Sequence, residues 1–75
     1  MKTMMKDASA HGFKCGQSLH RLYGTENKEI VKSQADRVSI EATEMLCKIY
    51  GNRNQDIIKK TIMESMRKGY KSSLV

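Results

Sequence analysis

A group of basic and amide side chains lies close together near residue 55 of this 75-residue chain. Arg53, Lys59 and Lys60 carry positive charge, which binds phosphate groups. Asn54 and Gln55 each present a donor and an acceptor, the arrangement that reads the edge of a base. We therefore expect phosphate contacts from the three basic residues and base contacts from the two amides. Helix capping is the alternative role for the asparagine.

The net charge of +6 is concentrated at the two ends of the sequence. Residues 1–24 carry a net charge of +3, residues 25–51 carry −1, and residues 52–75 carry +4. Both ends would therefore attract a polyanion such as nucleic acid. The alternative is a solvated surface that keeps a small protein in solution.

The residue types and their spacing give little support for a metal site or an enzyme active site. His11, Cys15, His20 and Cys47 could supply four metal ligands, but they form neither a CxxC nor an HxxxH pair. There is no phosphate-binding loop and no nucleophile elbow, and so short a chain leaves little room for a substrate cleft. We expect no enzyme activity, no catalytic residue, no metal and no cofactor.

The start of the chain and its cysteines indicate a compartment. "MKTMMKDASA" reaches Asp7 before an apolar run develops, so we expect no secretory leader. No stretch approaches the ~20 apolar residues of a membrane span. With two cysteines, this pattern predicts a cytoplasmic protein of a bacterium or of a virus in its host.

The apolar pattern predicts one helical domain over residues 17–69, after a flexible arm over residues 1–16 and before a tail over residues 70–75. A long central helix is expected from about residue 26 to residue 50, starting after Thr25 as N-cap and ending at Gly51. Its stripe at spacings of three and four is a candidate dimer seam. The seam residues are Val31, Val38, Met45 and Ile49. A short helix before Gly24 and a last helix ending at Gly69 complete the expectation.

Two segments of the sequence match each other at an offset of 27 residues. "SLHRLYGTENKEIVKS" and "MLCKIYGNRNQDIIKK" share a Tyr-Gly pair, an asparagine and an isoleucine at equal positions. Each copy is typical of a helix end, a polar turn and the start of the next helix. The match indicates either a duplication or the same turn chemistry reached twice.

The second copy resembles the second half of the ribbon-helix-helix repressors, dimers that insert a two-stranded antiparallel ribbon into the DNA major groove. The similarity covers about residues 36–69. It is carried by Gly51, Asp56, Ile57, Ile58, Lys59, Ile62, Glu64 and Met66. The resemblance implies a strand near residues 28–35, with Lys32 and Gln34 facing the bases. The helical seam that begins at Val31 runs through the same segment, so both patterns cannot hold there.

The expected fold is mainly α. A dimer is expected because a chain of this size buries only ~60% of the surface that its unfolded form exposes, so a monomer would be marginally stable. The fold is either a ribbon-helix-helix fold, with one short strand and two helices, or an all-α fold of three helices with a long central helix. A helix-turn-helix is also visible in the spacing of Cys47, Gly51 and Ile57.

Together these patterns predict a small, sequence-specific, repressor-like DNA-binding regulator that acts as a homodimer. The alternative is a phage- or plasmid-type helical adaptor or inhibitor that binds a host protein through its apolar seam and its basic face.

Overall fold

Three α-helices and one short 3-10 turn make up the part of the chain that the structure describes. The computed structural model describes the backbone of residues 2–72 and the side chains of residues 3–72. Helix α1 spans Lys2–Tyr23, α2 spans Lys28–Tyr50, a 3-10 turn spans Asn52–Asn54, and α3 spans Gln55–Ser72. Each helix has one apolar stripe that can be buried, as expected of a three-helix domain.

Helices α1 and α3 lie side by side and run in the same direction. Thr61 Oγ1 donates a hydrogen bond to Met5 Sδ over 3.6 Å, and Ser65 Oγ donates one to Ser9 Oγ over 3.0 Å. Both pairs are 56 residues apart in sequence, so the two helices keep one register over a full turn. Helix α2 runs back in the opposite direction along one side of this pair and packs less extensively against each of the two helices.

Glycines allow α1 and α3 to approach closely. Gly12, Gly16 and Gly69 are all buried inside helices. A Cβ atom at Gly16 would overlap the backbone of Met66, and one at Gly69 would overlap the backbone of Phe13. Only glycine fits at these contacts, because the two backbones touch where a side chain would begin.

Three predictions about the ends of the chain are wrong for the described residues. The expected flexible arm, residues 1–16, is helical from Lys2, and it buries Met4 and Ala8 in the core. The domain therefore does not begin at residue 17. Gly69 does not end the last helix, which continues to Ser72. Gly69 instead lies within the helix and packs against the backbone of Phe13. Of the expected tail, residues 70–72 belong to α3, and residues 73–75 lie outside the described part.

The long central helix is confirmed, and it decides between the two expected folds. Residues 28–35 are helical, so the strand of the ribbon-helix-helix option is not formed there, and the all-α option is correct. Ala35, Val38 and Ala42 pack on the core, and this burial outweighs the period-2 pattern near residues 28–35.

The core lies where the three helices meet. Its buried apolar side chains are Met4, Ala8, Leu19, Ala42, Leu46, Cys47, Ile58, Ile62 and Met66. Polar groups at its edge have hydrogen-bond partners: Thr43 Oγ1 donates to the carbonyl of Ser39 over 2.6 Å, and Ser65 donates to Ser9 of α1. Helix α3 contributes Ile58, Ile62 and Met66 to the core, whereas Ile57 is 49% exposed.

Two tyrosines join the ends of the helices. The hydroxyl of Tyr70 donates to the carbonyl of Gly24 over 2.6 Å, joining the end of α3 to the first turn. The hydroxyl of Tyr50 donates to the carboxylate of Asp7, joining the end of α2 to the start of α1. This hydrogen bond, with smaller effects from desolvation and from the Asp7 charge, raises the pKa of Tyr50. No helix within residues 2–72 has the length and apolar character to cross a membrane.

The two turns use the same chemistry, as the 27-residue match predicted. Gly24 and Gly51 have positive φ angles of 65° and 100°, and their amides close the preceding helices by bonding to the carbonyls of His20 and Cys47. Asn27 donates through Nδ2 to the carbonyl of Tyr23 over 3.4 Å. Asn54 repeats this bond to Tyr50 over 3.1 Å. Thr25 is not the N-cap of α2, since Asn27 occupies that position.

The close contact of α1 and α3 predicts that replacing a buried helical glycine by alanine destabilises the protein. Gly16→Ala should lower the free energy of unfolding by about 1–3 kcal/mol, because the new Cβ atom overlaps the backbone of α3. Helix propensity alone would change stability by ~1 kcal/mol in the opposite direction. Ser18→Ala, at an exposed position of the same helix, is the control and should stabilise slightly. Urea unfolding of both variants makes the measurement, and a Gly16→Ala variant as stable as Ser18→Ala would contradict the tight contact.

Candidate nucleic-acid interface

Seven basic residues are exposed on the outer faces of the neighbouring helices α1 and α3, and together they are here called the basic side. Each lies two residues, or about 200° around the helix, from a buried position of its own helix. Lys6, for example, lies between Met4 and Ala8, and Lys60 lies between Ile58 and Ile62. Lys14 also borders the groove between α1 and α2, and Arg67 borders the groove between α2 and α3. The seven are Lys6, Lys14, Arg21, Lys60, Arg67, Lys68 and Lys71, and all are exposed.

The parallel arrangement of α1 and α3 creates this surface from the two ends of the sequence. The basic side therefore combines charges more than 35 residues apart in sequence. Helix α2 has four basic and four acidic residues and no net charge. It covers the other side of the pair, so the molecule has a basic side and a neutral side.

The charges of the basic side are not neutralised by contact pairs. Within the side chains of residues 3–72, the one ion pair within 4 Å joins Arg37 and Glu41 on α2, with 3.3 Å between Nε and Oε1. Two exposed carboxylates, Asp56 and Glu64, share the outer surface of α3. The basic residues outnumber them, so the potential of this side stays positive.

The three predicted phosphate-binding residues are exposed at the start of α3. Lys59 and Lys60 border a shallow depression that also contains Met63 and Arg67. Arg53 lies in the 3-10 turn before the helix. Of the three, Lys60 belongs to the basic side, while Arg53 extends the positive charge around the end of the bundle.

The predicted base-reading residues do not share a surface. Lys32 is exposed near the start of α2, and Gln34 is half-buried in the groove between α1 and α2. Asn54 and Gln55 lie at the opposite end of α2, about 27 Å away along the helix. The Asn54 side chain caps α2, and Gln55 is exposed as the first residue of α3.

The helix-turn-helix interpretation conflicts with the shape of the domain. That motif holds its two helices at about 90–120°, so that the second can protrude into a groove. An 18-residue α3 is about 27 Å long, whereas the described Cα atoms extend 37 × 21 × 14 Å. Helix α3 therefore lies along the bundle beside α1 and has no protruding end for a major groove.

Small residues spaced by four in the sequence could have predicted the contact of α1 with α3 that forms the basic side. Ala8, Gly12 and Gly16 recur on α1, and Thr61, Ser65 and Gly69 recur on α3. Such spacing brings two helix backbones together. Combined with the charge at both ends, it could have placed Lys6, Lys14 and Arg21 beside the basic residues of α3.

Two grooves accompany the basic side, one on each edge of α2. The groove between α2 and α3 holds a cavity of about 250 Å³, with Met63, Met66 and Tyr70 among its apolar lining and Lys32 and Arg67 at its rim. The groove between α1 and α2 contains Leu22, Val38 and the free thiol of Cys15. Burial raises the pKa of Cys15, so this thiol is a poor nucleophile. Among the described residues, no three His, Cys, Asp or Glu side chains are grouped to hold a metal.

Comparison with known proteins gives no family assignment. No protein-family model, no curated protein and no solved structure matches this chain.

The hydrogen bond of Asn54 distinguishes capping from base reading. Asn54→Ala should lower the free energy of unfolding by about 1 kcal/mol, because a carbonyl at the end of α2 loses its partner. Asn52→Ala is the control, since Asn52 is exposed and should tolerate the change. Thermal unfolding gives both values. Equal stability of the two variants would refute the capping role of Asn54.

Proposed function

We propose that this protein binds nucleic acid, most simply double-stranded DNA, as a small repressor-like regulator. Its basic side contacts the phosphate backbone. The proposal follows the original expectation of a DNA-binding regulator, but it assigns most of the affinity to phosphate contacts. Sequence preference is modest, because the four candidate base-reading residues are spread over both ends of the bundle.

One observation supports the proposal most strongly: the excess positive charge is carried by α1 and α3, which pack side by side. A random surface distribution of 14 basic residues would leave α2 as charged as its neighbours. Instead α2 is neutral, and the other two helices carry the whole excess. Such one-sided charge is the electrostatic signature of a polyanion-binding surface.

The dimensions of the basic side suit a duplex. From Lys6 to Arg21, α1 rises 15 residues, or about 22 Å. Successive phosphates of one strand lie about 3.4 Å apart along the duplex axis, so this length spans about six of them. Basic residues on the neighbouring α3 add a second row beside the first.

The alternative of a helical adaptor that binds a host protein is favoured by a different observation. Met45 and Ile49 are 46% and 66% exposed on α2, which leaves apolar surface available to a partner. This surface lies on the neutral side, so it does not compete with nucleic acid for the basic side. A DNA-binding assay therefore distinguishes the two functions.

Removal of single charges from the basic side should weaken DNA binding in a defined way. Lys60→Gln and Lys68→Gln should each reduce the slope of log affinity against log salt by about 0.9, the amount expected for one lost phosphate contact. Fluorescence anisotropy on duplexes of unrelated sequence, at several salt concentrations, makes the measurement. The loss should be similar for all duplexes.

Lys48→Gln is the matched control, because it removes the same charge from an exposed position of the neutral helix α2. It should leave the salt slope nearly unchanged. If all three variants bind DNA with the same slope as the parent protein, the basic side is only a solvated surface. In that case the adaptor function becomes the better proposal.

A further inference from the structure

The groove between α2 and α3 combines an apolar floor with a charged rim. The apolar residues that line its cavity are Leu19, Val31, Ala35, Met63, Met66 and Tyr70. Lys32 and Asp36 of α2 and Arg67 of α3 complete the lining. Clefts between the helices of a bundle that are mostly apolar, with a few polar groups, are common sites for small ligands. This lining suits a ligand that has an apolar part and a charged group.

The size of the cavity suits a small organic molecule. A protein cavity of about 150 Å³ holds benzene, so the volume of about 250 Å³ has room for a larger apolar group. On α3 the lining runs from Met63 to Tyr70, which is seven residues or about 10 Å of helix. Met63 and Met66 make this wall adaptable, because methionine side chains are flexible. An apolar chain of medium length, such as that of octanoate, fits these dimensions.

Two cations at the rim of the groove have no partner in the described part of the chain. Lys32 and Arg67 are exposed, and neither forms a hydrogen bond or an ion pair with another described residue. The carboxylate of Asp36 lies at the same rim and is also unpaired. Two positive charges and one negative charge leave the rim at +1. Lysine and arginine bind carboxylates through charge-assisted hydrogen bonds, so the rim complements a single anionic group.

We propose that this groove binds a small amphipathic carboxylate, with its apolar chain in the cavity and its carboxylate at Lys32 and Arg67. The two cations come from opposite walls of the groove, so one carboxylate contacts both helices. Asp36 disfavours ligands with a second negative charge, because like charges at one site repel.

This inference does not rest on nucleic-acid binding. Of the seven residues of the basic side, only Arg67 lines the cavity. Binding of the carboxylate is measured without DNA. A protein that binds octanoate but not DNA, or DNA but not octanoate, therefore separates the two proposals.

Methyl resonances of methionine test where octanoate binds on the full chain. With isotope-labelled methionine methyl groups, octanoate at low millimolar concentration should shift Met63 and Met66 in a saturable manner. Met5 and Met45, which are 41% and 46% exposed, lie outside the cavity and are internal controls. Unchanged resonances of Met63 and Met66 overturn the inference. Equal shifts of all four residues also overturn it, since they show non-specific adsorption of an amphiphile.

Two analogues separate the contributions of the chain and the charge. Octanol has the same chain without the charge, and its dissociation constant should be about two- to fivefold higher than that of octanoate. Acetate has the charge without the chain and should leave the methionine resonances unchanged, because it cannot fill the cavity. Octanol that binds as tightly as octanoate would overturn the assignment of a carboxylate.

Charge variants at the rim test the role of each residue. Arg67→Gln and Lys32→Gln should each raise the dissociation constant of octanoate about two- to fivefold, the effect of losing one exposed ion pair. Asp36→Asn should lower it about twofold, because it removes the negative charge beside the ligand. Titration of the Met66 methyl resonance gives all three values.

Lys68→Gln is the matched control, because it removes the same charge from the residue next to Arg67 but outside the cavity. It should leave the dissociation constant nearly unchanged. All four positions are exposed, so the variants should keep the fold, which circular dichroism verifies. The inference fails if Arg67→Gln and Lys32→Gln bind octanoate as tightly as the parent protein, or if Asp36→Asn binds it more weakly.

Discussion

The backbone contact between α1 and α3 is the constraint on which the rest of the structure depends. A core of nine buried apolar residues is small, and it contains no buried aromatic side chain in the described part of the chain. Gly12, Gly16 and Gly69 compensate by letting two long helices touch over most of their length. Dispersion between closely packed backbones and small side chains replaces some of the stabilisation that larger hydrophobic residues supply elsewhere. Because the contact is parallel, α2 must run back in the opposite direction along one side of the pair.

This parallel contact also determines the electrostatics. Charges at the two ends of the sequence come to one side because α1 and α3 are neighbours, and the neutral middle of the chain forms the opposite side. Helix α2 consequently has two roles. One face supplies Ala42 and Leu46 to the core, and one edge keeps Met45 and Ile49 in solvent.

The turns show how local chemistry supports this arrangement. Gly24 and Gly51 end their helices with a positive φ angle that other residues adopt at a cost. The side chains of Asn27 and Asn54 then donate hydrogen bonds to the backbone carbonyls of Tyr23 and Tyr50, the last residues of the preceding helices. The hydroxyl groups of Tyr50 and Tyr70 fix the ends of the helices to each other. The repeated segment of the sequence is therefore a repeated way to end a helix and begin the next.

The sequence by itself determined the features that depend on near neighbours: both helix ends at glycine, the long central helix, its apolar seam and the uneven charge. It did not determine that the first 16 residues are helical. In an isolated segment, Gly12 and Gly16 favour a break in the helix. They favour close packing only when α3 lies alongside. The strand expected near Lys32 and Gln34 was wrong for a similar reason. Local periodicity allowed two structures there, and burial of Ala35 and Val38 against the other helices selected one. The basic side was decided only by the tertiary structure, because it joins residues that are distant in sequence and meet through the contact of α1 with α3.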